Sequence, residues 1–179
     1  MSFPFDQLPL IDFQHNICFI GQLLTVCYHA IDLDTMLITL YETYVSVCMK
    51  KSIRLELILG EKSYPALCTD EERLVQILNI FLDNAVYYSP EGSTIEIQTK
   101  QTSKELTFFI MDHGKGVADK DKPYIFDRYY CADKSRSDKS HFGLGLSIAK
   151  ELSCVLGGKI GFSDTPGGGA TFFLTLPVK

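Results

Sequence analysis

Several things are missing from this chain of 179 residues, and each absence excludes a class of protein. Cys18, Cys27, Cys48, Cys68, Cys131 and Cys154 are scattered without a CxxC pair, so buried free thiols of a reducing compartment are expected rather than a disulfide framework. His15, His29, His113 and His141 show no metal-site spacing. No apolar run approaches the roughly 18–20 residues that cross a membrane. The start, MSFPFDQLP, has neither the basic lead nor the apolar run of a secretory signal. A soluble, cytoplasmic chain with no membrane contact is the expectation. A basic surplus is also missing: the net charge is −5, which argues against general nucleic-acid binding, where phosphates must be neutralised. There is no GxxxxGK[ST] P-loop, no complete dinucleotide fingerprint and no internal repeat.

What is present is a proper core, with 46% hydrophobic and 22% charged residues. Residues 1–12, with Pro4 and Pro9, read as an irregular lead-in. Helical spacing runs from about Phe13 to Ala30, then again from Asp32 or Asp34 to Lys50-Lys51. Ile53–Leu59 alternates as a strand, and a short strand near Ala66–Cys68 follows. Thr69-Asp70 offers an N-cap for a helix from Glu71 to Tyr88, with Leu74, Ile77, Leu78, Phe81, Leu82 and Ala85 on one stripe. Ile80, Asn84 and Tyr88 form a row at its edge, one turn apart. Strands over 94–99 and 106–110, a helix over 144–156 and a closing hairpin over 159–163 and 170–176 complete the pattern. This order predicts a two-layer α/β sandwich, with a mixed, mainly antiparallel sheet covered on one face by two helices.

Two glycine turns carry the chemistry. Asp112-x-Gly114-x-Gly116 puts a carboxylate at a strand end, followed by glycines that allow close approach to a flat ligand. Such a carboxylate can accept from the exocyclic amine of adenine, whereas guanine would present a carbonyl to it. The same residues could equally make an ordinary turn. Gly143-Leu144-Gly145-Leu146 runs into a helix, so its backbone N–H groups would gather where an anion binds; a plain glycine-started helix is the other reading. Asn84 is either a backbone-bonded helix asparagine or an oxygen ligand for Mg²⁺. Residues 118–142 form a charged lid with Tyr124, Ile125, Phe126, Tyr129 and Tyr130 among its charges, and they present Arg128.

Taken in order, LDNAVYYSP (82–90), DHGKGV (112–117), IFDRYY (125–130) and FGLGLSIAK (142–150), closing in GGGATFFLTLP, resemble the ATP-binding catalytic domain of bacterial sensor histidine kinases. They match that family's N, G1, F and G2 boxes over about residues 32–179. The resemblance implies the Bergerat sandwich of gyrase, Hsp90 and MutL ATPases, with ATP and Mg²⁺ as cofactors. It implies that Asp112 binds the adenine amine with Thr171 beside it. Gly114 and Gly116 would shape the adenine end, with Tyr88 against the nucleotide. Asn84 would hold Mg²⁺. Gly143, Leu144, Gly145 and Leu146 would receive the phosphates, and Arg128 would approach them from the lid. The acceptor would be a histidine on a separate dimerisation domain of the same kinase, with a response regulator downstream.

Three positions depart from that pattern: Ile80 replaces Asn or Glu, Tyr87 replaces a lysine, and Cys131 replaces an arginine. No His-Glu-Leu-Arg-Thr-Pro phosphoacceptor box exists, because His15-Asn-Ile-Cys and His29-Ala-Ile-Asp do not match it. Residues 1–31 are therefore read as the remnant of a helical dimerisation module, and the chain as a piece of a larger, membrane-anchored sensor. An anti-sigma-type serine kinase on the same fold and a catalytically weak nucleotide-binding module are the alternatives.

Overall fold

The computed structural model describes residues 27–60, 64, 67–130 and 143–178. Strand β1 (His29–Ile31) leads into helix α1 (Leu33–Lys50), then β2 (Arg54–Ile58) and β3 (Leu67–Thr69). Helix α2 (Glu71–Tyr88) is followed by β4 (Thr94–Gln101) and β5 (Glu105–Asp112). A 3₁₀ turn at Lys122–Tyr124 precedes helix α3 (Gly145–Val155), β6 (Lys159–Asp164) and β7 (Ala170–Pro177). The five-stranded sheet has the order β2-β4-β5-β7-β6. Its β2–β4 pair is parallel and the other three pairs are antiparallel. The predicted two-layer sandwich is thus present, but among the described residues three helices rather than two feed its core.

Capping explains where two of the helices start. The Asp32 carboxylate accepts from the Thr35 backbone N–H at 3.3 Å and from its hydroxyl at 2.7 Å, which settles the choice between Asp32 and Asp34. Asp70 caps α2 through the Arg73 N–H at 3.2 Å and also accepts from the Cys27 N–H at 3.0 Å. Leu74, Ile77, Leu78, Phe81, Leu82 and Ala85 are all buried along α2, as the stripe required. They meet the inner face of the sheet, where Ile95, Ile97, Leu106, Phe108, Ile110, Phe172, Leu174 and Leu176 join the same core. Tyr44 of α1 ties that helix to α2 by donating to the Asp83 carboxylate at 2.8 Å. Phe109, Met111 and Phe173 form a smaller buried cluster on the opposite face.

Three local expectations change. The predicted helix over 13–30 lies outside the described residues up to 26, and its end is not helical. His29–Ile31 instead pairs antiparallel with Leu67–Thr69 in a separate two-stranded sheet. Backbone pairing with β3 there outweighs a weak helical spacing. Asp112 is the last residue of β5 rather than a residue beyond it. Among the described cysteines, Cys48 is buried, whereas Cys27, Cys68 and Cys154 are exposed, all as free thiols.

Candidate functional site

A cleft of about 550 Å³ opens between the C-terminal half of α2, the end of β5, the segment 115–130 and the start of α3. That volume suits a small-molecule ligand of nucleotide size. Ile80, Asn84 and Tyr88 line it along α2, which places the predicted row where the sandwich opens. Asp112, Gly116, Gly143, Leu144, Gly145 and Leu146 line it too. Residues far apart in sequence are brought together because α2 and α3 both pack on one sheet face.

Asp112 sits at the floor with only 3% of its surface exposed. Its Oδ1 accepts from the Gly114 N–H at 2.9 Å and from the Ala170 N–H at 3.2 Å. Both bonds fall on one oxygen, which leaves Oδ2 for a donor in the cleft. Burial pushes the carboxyl pKa up, and the two N–H donors oppose that shift only in part. Glycine is required around this carboxylate. A Cβ on Gly114 would lie 2.6 Å from the Tyr88 carbonyl oxygen, and one on Gly169 would lie 2.0 Å from that of Asp112. Gly169 also has φ +114°, a region L side chains rarely adopt.

The other end of the cleft is built from the start of α3. Gly143 has φ +67°, and its carbonyl accepts from the Tyr129 N–H at 3.0 Å. Among the described residues no side chain caps α3 at Leu144, and first-turn N–H groups of this kind suit an anion. Tyr130 lines the cleft and donates to Asp121 at 2.6 Å, which pushes its phenol up to about 12. No group of His, Cys, Asp or Glu able to hold a metal by itself occurs among the described residues. Any metal here would rest on the Asn84 amide, neighbouring carboxylates such as Asp83 and the ligand's own oxygens, a donor set that suits Mg²⁺.

Two predicted site residues lie elsewhere. Thr171 pairs with Met111 across β5 and β7, so it shares the sheet face opposite the cleft, and its hydroxyl meets that of Thr165 at 2.8 Å. Ala170, one residue earlier, lines the cleft and supplies the N–H to Asp112. Counting alternation back from Phe172 and Leu174 would have found it. Arg128 is held on Glu151 of α3, through its Nε at 3.0 Å and a second, closer contact, and does not line the cleft. Sequence reasoning also missed Asp121 and Lys115, both of which line the cleft. Asp121 carries no signal beyond its place in a charged stretch, whereas Lys115 could have been found from its place between the two glycines that follow Asp112.

Comparison with known proteins fits this geometry. The family described as "Histidine kinase-, DNA gyrase B-, and HSP90-like ATPase" matches residues 69–179. The chain is similar to the sensor protein CiaH of Streptococcus pneumoniae, 36% identical over 114 residues that cover 63% of this chain and 26% of CiaH. It is also similar to the sensor histidine kinase WalK of Bacillus subtilis, 39% identical over 113 residues, covering 62% of this chain and 18% of WalK. It therefore spans about a quarter or less of these relatives' length. Full-length ShkA, solved in complex with AMPPNP, superposes with a TM-score of 0.76 at 27% identity, over 87% of this chain and 32% of ShkA. The catalytic domain of the histidine kinase ThkA shares the fold, with a TM-score of 0.74 at 20% identity, over 84% of this chain and 95% of that domain. With the cleft, its buried aspartate and its glycine turns arranged on that fold, the chain belongs to the histidine kinase-, DNA gyrase B- and HSP90-like ATPase family, within which it is similar to sensor histidine kinases.

Proposed function

We propose that the cleft binds ATP with Mg²⁺ and delivers the γ-phosphoryl group to a histidine on a separate dimerisation domain of the same kinase. The observation that carries this reading is the buried Asp112 in the cleft lining, fixed through Oδ1 by two backbone N–H groups so that Oδ2 is left to accept from a ligand. Such an acceptor pairs with the adenine amine and repels the guanine carbonyl, and a charged hydrogen bond of this kind contributes roughly 1.5–3 kcal/mol. Tyr88 would lie against the nucleotide, with Gly114 and Gly116 shaping the adenine end. The N–H groups of Gly143–Leu146 would receive the phosphates, and Asn84 would hold the metal, which supplies charge neutralisation on the phosphate oxygens when bound. Arg128 would reach the phosphates only by leaving Glu151. This chain's own contribution is positioning.

In a longer parent protein, residues before β1 would belong to the dimerisation module, the domain from β1 onward, which holds Ile31 in its core, would work on the cytoplasmic side, and a response regulator would take the phosphoryl group onward. Among the described residues no helix is long and apolar enough to cross a membrane. Calorimetry with ATP and GTP tests the binding, with an ATP affinity of roughly −4 to −8 kcal/mol expected and GTP much weaker. Radiolabel transfer to an added dimerisation domain tests the chemistry. The product should be acid-labile, as phosphohistidine is, and an acid-stable product would point to a serine acceptor instead.

A further inference from the structure

Lys115 stands between the two glycines of the Asp112–Gly116 turn, and its place is fixed on both sides. Gly114 packs so closely on the end of α2 that a Cβ there would lie 2.6 Å from the Tyr88 carbonyl oxygen. Gly116, at φ +70°, abuts the Gly169 carbonyl, 3.1 Å from where its Cβ would be. This clamp delivers the exposed lysine to the cleft wall, with Nζ 5.4 Å from the centroid of the Tyr88 ring, within cation–π range.

Charge gives this placement its meaning. Among the described residues lining the cleft, Lys115 is the one cation, set against the carboxylates of Asp83, Asp112 and Asp121. A cleft with that balance repels a polyphosphate unless a cation offsets it. The position that carries a lysine in the family pattern is Tyr87, whose ring stands edge-on to Tyr88 at 4.9 Å and does not line the cleft. We propose that Lys115, held at the cleft by the Tyr88 face, is the protein's phosphate-neutralising contact for the bound nucleotide, in place of the lysine absent at position 87. This assignment rests on the nucleotide-binding reading above.

The test is calorimetry of the whole chain and of its Lys115→Met and Lys115→Arg variants with ATP, ADP and adenosine, at low and high salt. A phosphate contact predicts that Lys115→Met weakens ATP by roughly tenfold or more and leaves adenosine nearly unchanged. Lys115→Arg should keep most of the ATP affinity, and the salt dependence of ATP binding should flatten in Lys115→Met. Equal losses for ATP and adenosine would overturn the proposal, because the lysine would then be ordering the Tyr88 ring for the base. Unchanged ATP affinity in Lys115→Met would overturn it as well. If the unaltered chain bound neither ATP nor adenosine, the nucleotide reading itself would fail, an outcome distinct from both.

Discussion

Ile80 of α2 and Gly145 of α3 meet at the α3 end of the cleft: Cγ2 of Ile80 lies 3.3 Å from where a Cβ on Gly145 would stand. An apolar methyl thus occupies the spot where the family pattern places an amide or a carboxylate. Ile80 can neither ligate a metal nor orient an attacking group. Ile80→Asn should speed phosphoryl transfer to an added dimerisation domain while changing ATP affinity little. It should also cost about 1–2 kcal/mol of stability, because a partly buried aliphatic contact is lost. Transfer assays beside denaturant unfolding separate the two effects. Equal transfer rates in both proteins would show that position 80 does not limit turnover.

Asp112→Asn should abolish ATP binding without unfolding the domain, since the amide oxygen can still accept from Gly114 and Ala170 while its NH₂ faces the adenine amine. The pH dependence follows from the raised pKa. A carboxyl held above its unfolded value keeps a proton in the native state that the unfolded chain has already lost. The stability this contributes is full below the ordinary aspartate range of about 3.9 and fades as pH rises through the folded value. The melting temperature of Asp112→Asn should therefore gain on that of the native chain as pH is raised through that window. A constant difference between the two melting curves would count against a raised pKa.

Arg128 and Glu151 supply a third test. The guanidinium is exposed and bound to a carboxylate on α3, so reaching the phosphates means giving up that partner. Glu151→Gln should tighten ATP binding severalfold. The same substitution should have no effect when Arg128 is already alanine. A gain that persists in the Arg128→Ala background would place the effect of Glu151 on the α3 terminus rather than on Arg128.

Gly169 closes the β6–β7 turn against β5. With φ +114° and only 2.0 Å between a would-be Cβ and the Asp112 carbonyl oxygen, Gly169→Ala must displace backbone. The expected loss is about 2–4 kcal/mol of unfolding free energy, together with the Ala170 N–H bond to Asp112. By contrast, Gly167→Ala meets nothing within 4 Å and should lose only the cost of its positive φ. Denaturant titration of both variants gives the comparison.

Periodicity and turn chemistry were enough to place α2, its capping aspartate and its buried stripe, because these are set by residues within a few turns of one another. The glycine turns and Asp112 were legible for the same reason: strand end, carboxylate and glycine follow directly in the chain. Side-chain pairing was not. Alternation back from Phe172 and Leu174 puts Ala170 rather than Thr171 on the inner face, but only the register against β5 brings the Ala170 N–H to Asp112. The helical spacing that ran on to Ala30 gave way to β1, because its backbone bonds belong to β3, almost forty residues away in sequence. Arg128 and Lys115 divide in the same way. Arg128 is one charged residue in a mixed run and Lys115 stands between two glycines, and only the packed positions of α3 and Tyr88 decide that one meets a carboxylate and the other the cleft. Local order in the sequence determined which elements form and which residues stand ready for a nucleotide. Which of them face it depended on packing between distant segments, because long polar side chains settle on whatever partner the tertiary fold brings within reach.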